Sequence, residues 1–484
     1  MREIFEPTWE SLRTHSTPKW LQEAKFGIYT HWGVYAVPAC GPNGTWYPYN
    51  MYREGTDQHN YHVRTYGSPS EFGYKDFIPM FKAEKFDPDE WAELFKSSGA
   101  QFAGPVGEHH DGFAMWNSAL TDWNAAKMGP ETDVVGRLEK SIRGQGMRFM
   151  IALHHAENWW FFPHWKEEYD TSNPRYSGLY GPMHNQEWAK EKPVGDERWV
   201  EWWGQDKPTK EYLDTWLGKI REVIDHYQPD LLWFDFGIRG VPEKYRRDFL
   251  AYYYSKEKEW DKDVAVTYKW HDLVPGTAIV DLELGRMGEL TYNDWITDTS
   301  VDDQGAWSYV QDAGFKKVST LVHNLVDNVS KNGYLLLNVG PKANGEIPDE
   351  AKRCLIGLGD WLRVNGEAVY GTIPWIKYGE GPTKMETSGN FSEQQEVEYT
   401  AKDIRFTTKG DVLYATCLGW PGEWVTIRTM KRLYDSEIRT VRMLGVDRDL
   451  KWSMTAQDGL VVEMPEEKPC DHAYVLKITR ANPF

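Results

Sequence analysis

Short apolar runs bounded by glycine, proline or charge recur along about the first 370 residues, and stretches of helical spacing separate them. The runs predict strands over 25–33 (KFGIYTHWG), 101–106, 148–155 (RFMIALHH), 229–237 (PDLLWFDFG), 264–268, 277–283 and 334–339. Helical spacing predicts helices over 1–25, 87–99, 133–146, 210–227, 243–260, 318–332 and 349–365. Seven or eight strand–helix units favour a closed (β/α)8-like barrel over an open sheet. Beyond Gly371 the helical period stops. Short strands over 403–408, 411–418, 424–429, 460–463 and 473–479, set between polar turns, predict an antiparallel β-sandwich. The expected division is therefore a barrel domain over 1–372 and a C-terminal β-sandwich domain over 373–484. Two segments interrupt the pattern. A Gly/Pro/Tyr-rich loop covers 39–55, and an aromatic insertion over 157–202 is long enough to predict a lid or a wall of a site.

Charge narrows the partners. With 55 basic and 73 acidic residues the net charge is −18, which argues against nucleic acid or an anionic membrane. The 25 tryptophans mostly serve the core, but a surplus of flat rings also suits stacking on the C–H face of a pyranose. Cys40, Cys354, Cys417 and Cys470 are scattered with no CxxC pair, so neither zinc nor a redox motif is supported. No apolar run reaches the roughly 18 residues of a membrane span. The start, MREIFEPTWESL, lacks the basic and apolar segments of a signal peptide. The expected location is the cytoplasm, or the periplasm or exterior for a chain whose leader has been removed.

In a barrel the site lies at the C-terminal ends of the strands. His31, the pairs His109-His110 and His154-His155, Asp235 and Glu283 all fall at such ends. Asp235 interrupts an apolar run, where an ionised carboxylate is costly unless used; the alternative is a cap for the following helix. Two chemistries compete for this set. Metal-assisted hydrolysis is disfavoured, because adjacent histidines on a strand point to opposite faces and no HxH or HExxH occurs. No metal and no cofactor are expected. Glycoside hydrolysis needs two carboxyl groups, one ionised and one protonated.

The ordered set FGIYTHWG, the Trp46-Tyr47 loop with MYREG, MFKAEKFDPDEWAEL, HHDGF, LLWFD, VSKNGYLLLNVGPKANGEIP and NGEAVYGT resembles the α-L-fucosidases of glycoside hydrolase family 29. The later YTAKDIRFTTKGDVLYAT is similar to that family's β-sandwich. The resemblance implies a retaining exo-α-L-fucosidase that acts on fucosylated oligosaccharides or glycans through a covalent fucosyl-enzyme. It implies Asp235 as nucleophile, with Trp233 on the same strand face, and His31, Trp46, Glu54, His109 and His110 as sugar contacts. His155 stands where the family usually has a tyrosine. The chain also departs from the family's pattern. Glu108 precedes HHDGF where Lys or Arg is common, and Thr45 replaces a Glu before Trp46. The usual Trp-Glu general acid reads Trp295-Ile296. Glu283 in DLELGR is the first substitute, Asp298 the second and Glu289 the third. Arg286 is the candidate for a sugar or carboxylate contact, since the family's Arg position reads Leu284. The missing Trp-Glu acid keeps open an alternative, a fucose-binding protein without turnover. An oligomer is left open.

Overall fold

The structure, a computed structural model, describes residues 4–186, 207–394, 397–432 and 438–480. Eight strands pair in parallel in chain order: β1 (Phe26–Thr30), β2 (Phe102–Glu108), β3 (Arg148–Leu153), β4 (Leu231–Phe234), β5 (Ala265–Lys269), β6 (Ile279–Glu283), β7 (Trp295–Ser300) and β8 (Gly333–Val339). β8 returns to β1, with Ile28 opposite Leu337, and closes the barrel. Burial on both faces explains why β1, β4 and β8 read as near-continuous apolar runs.

Helices Pro88–Ser97, Val134–Gly144, Lys210–Tyr227, Glu243–Trp260, Val318–Ser330 and Asp349–Asn365 surround it. Their starts follow local chemistry: Asp87, Asp133 and Thr209 each accept a backbone N–H of the first turn. The expected helix over 1–25 is two short ones, Trp9–Leu12 and Lys19–Ala24, with Pro18 at the break. Among the described residues, neither the β5–β6 nor the β6–β7 connection carries a helix of the ring. The insertion expected over 157–202 begins with the short helix Asn158–Phe161 and packs Phe161, Phe162 and Tyr180 into the core. Its part from 187 to 202 lies outside the described residues.

β7 was not foreseen as a strand. It is buried throughout yet carries Thr297, Asp298, Thr299 and Ser300. Each finds a partner: Thr297 Oγ1 donates to the Leu282 carbonyl (2.6 Å), and Asn338 Nδ2 donates to Ser300 Oγ (2.9 Å). Satisfied polar groups replaced the apolar pattern that strands usually show.

The C-terminal part is antiparallel. β9 (Ile373–Glu380), β10 (Ile404–Lys409), β11 (Val412–Cys417), β13 (Ile438–Met443) and β16 (Tyr474–Arg480) form one sheet in the order β13-β16-β11-β10-β9. β12 (Trp424–Ile427), β14 (Trp452–Thr455) and β15 (Gly459–Glu463) form the second, and Phe406, Val441, Leu476, Ile427 and Leu460 fill the space between. On the opposite face, Tyr414 and Val475 join the core of the barrel domain, and Trp361 Nε1 donates to the Ala473 carbonyl (2.9 Å). A buried ion cluster adds to this junction, where Asp327 meets Lys331 (2.7 Å) and Arg405 (2.6 Å).

Between β9 and β10 the chain returns to the barrel. Residues 388–393 run across the end of β6 and pair with it as a short antiparallel strap, Gly389 opposite Arg286. Asn390 Oδ1 accepts the Glu283 N–H (2.8 Å), and the Phe391 N–H donates to the Glu283 carbonyl (2.7 Å). Glu393 ties the strap down, accepting from Thr299 Oγ1 (2.6 Å) and Asn324 Nδ2 (3.0 Å) and pairing with Lys316 (3.0 Å).

Candidate active site

At the barrel mouth the side chains divide into two groups. β1, β2 and β3 end in imidazoles. The His109 ring lies 5.6 Å from His31 and 4.5 Å from His154, and His110 lies 4.2 Å from His109. The expectation that only one histidine of each pair faces inward fails at 109–110. β2 ends at Glu108, so both histidines sit beyond the extended backbone, where alternation no longer applies. A tight turn holds them there. Asp111 accepts from Tyr74 OH (2.7 Å), and Gly112 has φ +76 in a place where a Cβ would strike the Leu179 carbonyl.

His154 and His155 also lie beyond their strand, β3, and a 3-10 turn that begins at His155 sends the two rings apart, with a different outcome from the one expected. His154 turns inward. His155 faces the helix Lys210–Tyr227, where its Nε2 meets the Trp216 carbonyl (3.2 Å) and its ring stacks on Trp216. His155 is thus placed behind the barrel wall, away from the histidine cluster. Burial, reinforced by neighbouring imidazoles, keeps His31 and His109 well below the ordinary imidazole range; burial also lowers His154.

Asp235 follows β4 and joins the two groups. His154 Nδ1 donates to Asp235 Oδ2 (2.9 Å), and His110 Nε2 lies 3.4 Å from the same oxygen and 3.3 Å from the buried Glu157. Burial alone would raise the Asp235 carboxyl; His154, the hydrogen bonds from His110 and His154, and Lys269 outweigh it and hold it well below the usual carboxylate range.

The second group centres on Lys269, at the end of β5 and fully buried. Its ammonium meets Asp281 (2.6 Å), Asp298 (2.9 Å) and Glu283 (3.4 Å) and sits 4.7 Å above the Trp233 ring. These carboxylates, with Asp235, overcome burial and raise Lys269 well above its ordinary value. Burial pushes Glu283 up to about 8, with Asp235 and Asp298 adding to the rise and Lys269 opposing it. Asp298 has both oxygens engaged, one by Lys269 and one by Tyr29 OH (2.8 Å). Glu289 is exposed.

Three further expected residues divide. Trp46 stands by the cluster, 5.7 Å from His110. Glu54 is exposed and paired with Lys166 (2.7 Å), outside the pocket as the structure stands. Arg286 is buried under the strap, where its charge helps to keep the Glu393 carboxyl low, and not at the mouth. Sequence reasoning placed His154 at a strand end without giving it a role, and passed over Lys269, Tyr29 and Asn338, whose Oδ1 accepts from the His31 backbone (3.0 Å). A lysine ending a strand, as in AVTYK, was the available signal for Lys269.

Several buried polar atoms here have no hydrogen-bond partner among the described residues: His109 Nδ1, His154 Nε2 and Trp233 Nε1. Convergent unspent donors and acceptors around an acid suit a small polyhydroxylated ligand. Nitrogen atoms of His31, His109 and His154 also lie within 4.8 Å of one another, as do ligand atoms of His110, His154 and Asp235, so either trio could hold a cation.

Comparison with known proteins decides the family. The α-L-fucosidase family model matches residues 1–367, and the α-L-fucosidase C-terminal domain model matches 394–479.

The chain belongs to the α-L-fucosidase family.

It is similar to the tissue α-L-fucosidases of Bos taurus (31% identical over 490 residues, 98% of this chain and 91% of that one) and Homo sapiens (30% over 489 residues, 98% and 92%). Among solved structures, the Thermotoga maritima α-fucosidase in complex with fucose matches with a TM-score of 0.76 at 32% identity, covering 98% of this chain and all of that one. The protein is accordingly a glycoside hydrolase of the α-L-fucosidase family, and its closed parallel barrel with C-terminal antiparallel sheets is that family's architecture. In this fucosidase the mouth carries a histidine half from β1–β3 and an acid and aromatic half from β4–β6, with Asp235 at their boundary.

Proposed function

We propose that this fucosidase is a retaining exo-enzyme that removes terminal α-L-fucose from glycans by double displacement. The observation that carries the reading is the contrasting surroundings of two carboxyl groups at the mouth. Asp235 takes a hydrogen bond from His154 and faces His110, which hold it low, whereas Glu283 is mostly buried and shares the single cation Lys269 with Asp281 and Asp298, which leaves it raised. In this mechanism Asp235 attacks the anomeric carbon while Glu283 protonates the departing oxygen. Glu283, now a carboxylate, takes a proton from water, and that water cleaves the fucosyl ester. His31, His109, His110 and His154 hold the sugar hydroxyls, and Trp46 and Trp233 flank its faces. Lys269 keeps Asp298 and Asp281 from repelling the nucleophile. Asp298, with both oxygens occupied, is a positioning residue and not the acid.

The test follows hydrolysis of 4-nitrophenyl α-L-fucoside by proton NMR, with variants and added azide. The wild type is expected to release the α anomer of fucose first. Asp235→Gly should lose activity and, with azide, form β-fucosyl azide; Glu283→Ala with azide should form the α-azide. First release of the β anomer would refute retention. A wild type that binds fucose but cleaves no fucoside would leave the binding protein as the better account. Activity is expected to survive a chelator, since no step uses a cation at the histidines.

A further inference from the structure

The strap over β6 brings an aromatic side chain to the mouth from outside the barrel. Phe391 is 37% exposed, and its ring stacks toward Phe236 at 6.4 Å; Phe236 in turn lies 4.6 Å from Trp270. Phe236 follows Asp235, Trp270 follows Lys269, and Phe391 donates its N–H to the carbonyl of Glu283. Three rings therefore line the ends of β4, β5 and β6, on the side of the mouth where the general acid stands. The backbone is also unusual there. Trp270 (φ 46), Leu284 (φ 43) and Phe391 (φ 58) all occupy the left-handed region that non-glycine residues avoid. Such conformations persist where surrounding contacts impose them, and they gather at ligand sites.

We propose that Phe391, a residue of the C-terminal part, forms with Phe236 and Trp270 the surface that receives the leaving group, and so selects aglycones with a flat apolar face. The ligand chemistry is an aryl ring or the C–H face of a pyranose, both of which stack on aromatic rings. The inference rests on the fucosidase reading with Glu283 as acid. The fucose ring is held by the histidine half, so the bond to be broken points across Asp235 toward Glu283 and the three rings.

The test compares three donors: 4-nitrophenyl α-L-fucoside, a fucosyl disaccharide and α-L-fucosyl fluoride. Fluoride is too small to reach Phe391 and leaves with little acid assistance. The variant is Phe391→Gly, which removes the ring and relieves the left-handed backbone, so it should fold; its thermal midpoint checks this. Expected is a fall in kcat/KM of about five- to tenfold for the aryl fucoside and the disaccharide. The fluoride should stay within about twofold of the wild type, and Phe391→Tyr should restore the first two donors. An aryl-only effect would assign the surface to aryl aglycones, and a disaccharide effect to sugars. An equal fall on all three donors, or no change on any, would overturn the proposal while leaving the hydrolase reading intact. A wild type inert to all three would overturn both.

Discussion

Lys269 is one cation among three carboxyl groups, and that imbalance governs Glu283. As a general acid Glu283 must carry a proton, so kcat/KM should fall as pH rises through about 8. Asp235, held low, should stay ionised across the same range. Glu283→Gln should abolish the alkaline limb and slow fucosides with poor leaving groups by about 10²–10⁴-fold, while sparing activated ones. Lys269→Met would leave buried carboxylates without their cation. It should destabilise the fold by about 3–5 kcal/mol, measured by denaturant titration. At this scale legibility was uneven. Asp235 stood out because an ionised acid inside an apolar run is costly unless used, and Glu283 because it ends a strand in a stretch, DLELGR, that resembles the family's. His154 and His155 could not be told apart from sequence, because which one faces inward depends on where the strand gives way to the turn. Their variants separate them: His154→Ala should cost about 10- to 100-fold in kcat/KM through the lost bond to Asp235. His155→Ala, behind the wall, should lower stability and leave KM unchanged.

Elements were legible where apolar burial wrote the pattern. β4 and β8 announced themselves, whereas β7 concealed itself because the polar network runs through it. The strap had no signal at all, since its partners lie about a hundred residues upstream and its contacts use backbone groups and Asn390. The helix Val318–Ser330 and β10 meet through Asp327 and Arg405. Burial would raise the Asp327 carboxyl, but Arg405 and Lys331 hold it below its ordinary value. Its folded pKa is thus below its unfolded one. The stability it contributes is present above about pH 4 and is lost as pH falls through the folded value. Denaturation midpoints taken from pH 5 to 2 should drop steeply in the wild type and less so in Asp327→Asn.

Across the molecule, the two parts share one interior. Tyr414 and Val475 pack into the barrel's core, and Trp361 bonds to Ala473. Calorimetry should therefore show a single cooperative transition, and two resolved peaks would contradict the shared core. The strap adds a consequence for inheritance. The proposed acid sits in one stretch of the gene and one ring of the proposed leaving-group wall in another, so such a site would not travel as a cassette. A hybrid joined near residue 372, barrel from one relative and C-terminal part from another, should keep the fucose specificity of the first parent and acquire a leaving-group preference unlike either, because Phe236 and Trp270 come with the barrel and Phe391 with the other part.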